Sequence, residues 1–257
     1  MLLRRLYEQV AAELPRLFTF AYFACPSRPK ALELLSSALA VAARAPESVV
    51  SNPQPAEVLL QMLVEVLEKS FIPEQAQNFE LLERLQRRGR FWHPDFQVTE
   101  SWGRDLILRA ELKRKCLLTV LAQLSPTVSL AFILVDIFAY PVHTAAQLMR
   151  VSERVLVVRL TRARKRLADH LLTRCGHIDP HNPCYCAGLL WSALEAGFVT
   201  PPAVAQSVPL EQPPTQDIGV LYRSLPGAAL EEDERERLLA VLWTTPAGWA
   251  LAPTDPN

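Results

Sequence analysis

The chain is expected to be all-α: two small helical domains, then a Cys/His loop and a proline-rich tail with one helix. Three observations predict this. Glycine is scarce, at 8 of 257 residues, and apolar residues recur at spacings of three and four instead of alternating. The 21 prolines fall mainly between the periodic stretches and in the tail, where they punctuate. The periodicity predicts helices over about 2–24, 29–45, 54–71, 74–89, 102–124, 126–138, 141–149 and 152–173.

Each element has a local reason. "PSRP" and "ESVVSNPQP" separate the first three helices, and "RFWHPDFQVTES" reads as a linker before a second unit. Ser125 can cap the next short helix, with Pro126 in its first turn. A second helix runs from Pro141, and Ala146 is small enough for two helices to cross closely. Ser152 caps a third, whose inward stripe is Leu156, Leu160, Ala163 and Leu167. Three short-linked helices in this order have the form of a helix-turn-helix. "VTPPAVAQSVPLEQPPTQ" is too proline-rich to pack and should run extended. "LEEDERERLLAVLWTT" restores a helix, with an acidic first turn suited to its dipole and Leu238, Leu239, Leu242 and Trp243 on one side. Such a helix can fold back as a lid or dock a partner.

Lys+Arg and Asp+Glu balance at 27 each, so net charge selects no partner. Distribution is more informative. Residues 150–174 hold Arg150, Arg154, Arg159, Arg162, Arg164, Lys165, Arg166 and Arg174 against Glu153 and Asp169. That is the footprint of a polyanion site or of a solvated helix face. No apolar run is long enough to span a bilayer and the first residues lack signal-peptide features, so a cytoplasmic protein without membrane contact is expected. An enzyme is disfavoured: His93, His143 and His170 stand apart from any nucleophile or carboxylate pair, and no glycine-rich phosphate loop is present. Cys25 and Cys116 read as isolated small hydrophobes.

"LSP", "AFILVDIFAYPVHTAAQLMRVS" and "VVRLTRARKRL" together resemble region 4 of sigma-70 family transcription initiation factors, especially the extracytoplasmic-function group, from about Leu121 to Leu171. "LPRLFTFAYFACPSRPKALELLSSALAVAARAP" aligns more weakly with the family's region 2, through Ala21, Tyr22, Ala31, Glu33 and Leu34. The resemblance implies a bacterial, non-enzymatic factor that binds promoter DNA and core RNA polymerase. It divides the chain into a degenerate region 2-like domain (1–72), a linker with a helix (73–110), a region 4-like domain (111–174), a Cys/His-rich extension (175–200) and the tail (201–257). The DNA-contacting residues it implies are Ser152, Arg154, Val158, Arg159, Thr161, Arg162 and Lys165, with Val155 and Val157 on the flanks of the helix, where packing can use them.

Departures from the pattern fall mostly in the first domain. Ser36 and Ser37 replace the polar amide and acid of the polymerase-docking motif, and "VLLQMLVEVLEKS" is acidic and aliphatic where promoter melting needs aromatic platforms and cations. Ser129 and Leu130 stand where charged residues are usual. Arg150 replaces the glycine of the helix-turn-helix bend, at a cost of about 1 kcal/mol for a left-handed backbone. A second reading follows: a sigma-like interaction protein that has lost promoter melting, whose regions 2 and 4 pack on each other or on an anti-sigma-like regulatory protein. The apolar "LAFILVDIF" and "VLLQMLVEVL" motivate it as surface in need of a partner.

"RCGHIDPHNPCYC" gathers Cys175, His177, His181, Cys184 and Cys186, a donor set suited to zinc or copper(I). The spacing is not the common zinc-module one. The stretch resembles the cysteine-rich extension of some extracytoplasmic-function factors, which implies a sensor; a loop capping the preceding helix with half-buried cysteines is the alternative.

Overall fold

The computed structural model describes residues 1–70, 74–88, 102–200 and 213–244. The linker around His93 and, of the stretch 199–216 expected to run extended, residues 201–212 lie outside the described residues. The helices are α1 Leu2–Ala24, α2 Arg28–Arg44, α3 Pro46–Val50, α4 Pro55–Glu68, α5 Glu74–Arg88, α6 Trp102–Leu121, α7 Pro126–Phe132, α8 Val142–Leu148, α9 Glu153–Leu171, α10 Cys186–Glu195, α11 Ile218–Arg223 and α12 Glu232–Thr244. A π-helical turn, Ile133–Ile137, continues α7. Among the described residues the extended pairing is limited to one bridge, Cys175 opposite Cys184, so the all-α class is observed. No helix among them is long and apolar enough to cross a membrane.

The chain forms two compact units that cut across sequence order. The first holds residues 1–71, 141–156 and 227–257. Its core begins with Leu3, Leu6, Val10, Leu14 and Leu17 of α1, which share one face at spacings of three and four. Alanines 31, 38 and 42 of α2 let neighbours approach, and Leu59, Leu60, Leu63, Val64 and Leu67 of α4 complete the interior. The aliphatic run of α4, expected to need an external partner, is therefore spent inside the chain. Each such side chain contributes about 1.5–3 kcal/mol by burial.

Helix α12 packs on α1 and α2, burying Leu238, Leu239 and Leu242, with Trp243 6.0 Å from Tyr7. The tail helix thus belongs to this core. Its acidic first turn does more than meet the dipole: Glu234 is buried, accepts from Arg28 Nε at 2.7 Å and from the Glu231 amide at 2.9 Å, while Arg28 also lies over the Phe18 ring. Burial alone would raise the Glu234 pKa, but the Arg28 and Glu231 contacts outweigh it and hold it low. A depressed folded-state pKa gives stability that is present above the ordinary glutamate value of about 4.3 and lost as pH falls through the folded value. Denaturation midpoints of Glu234→Gln and the parent should accordingly differ most at neutral pH and converge below about pH 4.

The second unit holds residues 72–140 and 157–226. Helix α6 is its axis, with α5 and α10 against it, and α11 packs on the π turn. The expected single helix over 126–138 is divided because the chain widens at Ile133: the Phe138 amide donates to the Ile133 carbonyl, five residues back, at 2.9 Å. Leu130, Ala131, Phe132, Ile133 and Leu134 are all buried, so this apolar run is also core and not docking surface. Ser125 precedes α7 in extended conformation but makes no side-chain cap bond. Asp136 faces α9, where Arg164 donates to it from Nε at 2.9 Å and Nη2 at 2.7 Å. Three further short helices occur where none was expected: α3 at the second separator, α10 in the Cys/His extension and α11 in the tail.

Candidate nucleic-acid interface and thiol cluster

Helix α8 ends in a Schellman motif. The Val151 amide donates to the Ala146 carbonyl and the Arg150 amide to that of Gln147, both at 3.0 Å. The motif requires a left-handed residue between helix and bend, and Arg150 occupies it at φ 51°. Ser152 then caps α9 as expected, its Oγ accepting from the Val155 amide at 3.4 Å. Arg150 gains one contact in return, an ion pair with Glu65 of α4 at 2.6 Å. Gln61 of α4 donates to the Gln147 carbonyl at 3.2 Å, so in the first unit α8 and its bend lie against α4.

Leu156, Leu160, Ala163 and Leu167 of α9 are buried, the expected inward stripe. Arg154, Val158, Thr161, Arg162 and Lys165 are exposed, and at 100° per residue they fall within one band of about 100°. Arg154, Arg162 and Arg166 make no ion pair among the described residues, whereas Lys165 meets Asp169 at 2.8 Å. Ser152 is exposed beside its cap bond, and Thr161 returns its hydroxyl to the Val157 carbonyl at 2.9 Å. Arg159 departs from the group: it is half-buried, on the border of the inward face. Val155, Val157 and Val158 are 42%, 46% and 44% exposed, so the flanking pair is no more used in packing than the outward one. The helix turns three valines to solvent, not one.

The glycine-normal bend gives a test. Arg150→Gly removes about 1 kcal/mol of backbone strain and a surface ion pair of at most about 1 kcal/mol; Arg150→Ala removes the pair and keeps the strain. Chemical denaturation should rank glycine above alanine by about 1–2 kcal/mol.

Residues 174–186 fold by pairing two short extended segments. Cys184 donates its amide to the Arg174 carbonyl at 3.0 Å and accepts from the Gly176 amide at 2.8 Å, setting Cys175 opposite Cys184. Alternate residues of an extended segment share a side, and His177 Nε2 stands 3.3 Å from Cys186 Sγ. Cys116 of α6 joins them: Cys116, Cys175, His177, Cys184 and Cys186 all line one cavity of about 30 Å³. Burial is the main force pushing the thiols up, Cys184 to about 11 and Cys186 to about 12, with mutual repulsion adding to it. Burial, then Lys113, lowers His177 to about 4, so its ring is neutral at pH 7. His181 stands apart, solvent-facing and 2.9 Å from Asp179. Among the described residues no group of three or more His, Cys, Asp and Glu is arranged to hold a metal ion as it stands.

Cys116 was missed in the sequence because nothing local links α6 to the extension; the contact is tertiary. His170 packs on Phe79, with ring centroids 5.5 Å apart, and His143 is exposed.

Residues 114–167 match the family model described as Sigma-70, region 4. The matched segment runs from the middle of α6 through the helix-turn-helix to Leu167, so the exposed basic band of α9 falls inside it. This segment is similar to the DNA-binding region of non-enzymatic transcription factors. No curated protein and no solved structure matches the chain.

Proposed function

We propose that the chain is a sigma-type transcription initiation factor of the extracytoplasmic-function group, a bacterial cytoplasmic protein that places α9 on promoter DNA and binds core RNA polymerase. The observation that carries this is the coincidence of the region 4 segment with an α9 face that is both exposed and basic. Arg154, Arg162 and Lys165 neutralise phosphates, which supplies affinity; base-edge contact from the same face supplies discrimination. Val158 can meet a thymine methyl, Ser152 and Thr161 border it, and Arg159 supports from the helix edge. In functional terms the chain retains the sequence-order segments 1–72, 73–110, 111–174, 175–200 and 201–257. The test is transcription by purified core polymerase with and without the protein, on a promoter selected with it from random sequence. Protein-dependent transcripts support the reading, and failure to retain core polymerase in a pull-down removes it.

In this reading zinc or copper(I) at the extension modulates the factor. Cys175, His177, Cys184 and Cys186 are the donors, and their soft thiolate-imidazole chemistry suits either ion; His181 would have to leave Asp179 to join. A bound ion would cross-link the two extended segments and stiffen the extension against α6. Elemental analysis of reduced protein should find metal, and Cys184→Ser with Cys186→Ser should lower both its content and the thermal midpoint. Unchanged values for both would end the metal proposal.

One observation favours the second reading, an interaction protein that has lost promoter melting. Helix α4, where melting residues would be expected, is turned into the core, and α8 is held against it by Glu65–Arg150 and Gln61–Gln147. If that contact holds α9 from DNA, Glu65→Lys should raise affinity for duplex DNA several-fold. An unchanged affinity argues against such closure.

A further inference from the structure

A second and much larger cavity, of about 410 Å³, opens in the second unit between α6, the Cys/His loop and the segment leaving α11. That volume is in the range of small-molecule sites. Its wall is largely apolar, with Leu106 and Ala110 of α6 facing Leu225 and Pro226. Arg109 and Lys113 enter from successive turns of α6, and among the described residues none that lines the cavity is acidic.

Lys113 is the informative residue. Its Nζ donates to Ser224 Oγ at 3.2 Å, and it forms no ion pair with a carboxylate among the described residues. A half-buried ammonium without a counter-ion is costly, and the cost is relieved by an anion that enters with little water. His177 adds a hydrogen-bonding edge to the same wall.

We propose that this cavity binds a small organic carboxylate with an apolar body, its head on Lys113 Nζ beside Arg109 and its body against Leu106, Ala110 and Leu225. A cation would meet the Lys113 ammonium there. An inorganic anion would leave the apolar wall unfilled. The site does not use the DNA-facing band of α9, so it stands or falls separately from the DNA binding proposed above; it shares His177 and Cys186 with the thiol cluster, so the titration is made on reduced, metal-free protein.

Calorimetric titration of the full chain with 1-naphthoate tests it, with 1-naphthylmethylammonium and acetate as comparison probes. Naphthoate should bind one-to-one, and each comparison probe about tenfold or more weaker, the worth of one charge-assisted contact or of the apolar body. Lys113→Met should weaken naphthoate by about tenfold or more without lowering the thermal midpoint, because an apolar group replaces an unpaired charge. Ala110→Trp fills the cavity with no change of charge and should abolish binding, an independent check if the Lys113 variant folds poorly. Naphthoate that fails to bind at millimolar concentration, an ammonium probe that binds as well, or undiminished affinity in a folded variant would each overturn the proposal.

Discussion

Replacing Arg154, Arg162 and Lys165 together by alanine should weaken binding to duplex DNA about a thousandfold at low salt, taking about tenfold for each lost charge-assisted contact. The slope of log affinity against log salt should flatten by about three, since each phosphate contact releases about one counter-ion. Fluorescence anisotropy on a labelled duplex over a salt series measures both. Fold should survive, because all three side chains are exposed and the one ion pair removed, Lys165–Asp169, is a surface pair. Arg164→Ala is the contrasting variant. Its guanidinium is committed to Asp136, so its loss should reduce stability and leave the salt slope nearly unchanged. A triple variant with an unaltered slope would mean that α9 does not carry the DNA contact.

The largest stability effect is expected at Tyr222. Its side chain is fully buried, meets Phe132 edge-on at 5.3 Å and donates its hydroxyl to the Leu117 carbonyl at 2.8 Å. It therefore pins α11 to α6 and to the end of α7. Tyr222→Ala should cost about 3–5 kcal/mol through lost burial and the void left behind, and Tyr222→Phe about 1 kcal/mol for the hydrogen bond alone. Urea denaturation separates the two. Ser224, Leu225 and Pro226, which wall the larger cavity, come two to four residues after Tyr222, so the alanine variant should also lose naphthoate binding while the phenylalanine variant keeps it.

What could be read from the sequence follows from how local each signal is. The inward stripe of α9 was legible because Leu156, Leu160, Ala163 and Leu167 are separated by polar residues, so the helical period shows. The bend was legible because the resemblance to region 4 implies a glycine there and Arg150 stands in its place. The widened turn was hidden, since a run such as "AFILV" is apolar whether each amide bonds four or five residues back. Helix α10 was hidden too, inside a stretch whose cysteines and prolines drew attention to the loop. Surplus apolar length in α4 looked like a docking face; it became core because α1 and α2 both pack against it. The thiol cluster was half legible: Cys175, Cys184 and Cys186 are neighbours in sequence, and Cys116 is brought to them by tertiary packing alone.

The π turn at Ile133–Ile137 carries a consequence for insertions and deletions. One residue more than an α-helical turn needs is accommodated there, and that extra residue sets the rotational phase of Asp136, whose carboxylate receives Arg164 and whose carbonyl receives Arg223. Dropping a single residue from the turn would leave its hydrophobicity almost intact yet swing Asp136 by about 100°, releasing both arginines together. Residue count is thus the strict quantity in this segment, and the identity of its aliphatic side chains the permissive one.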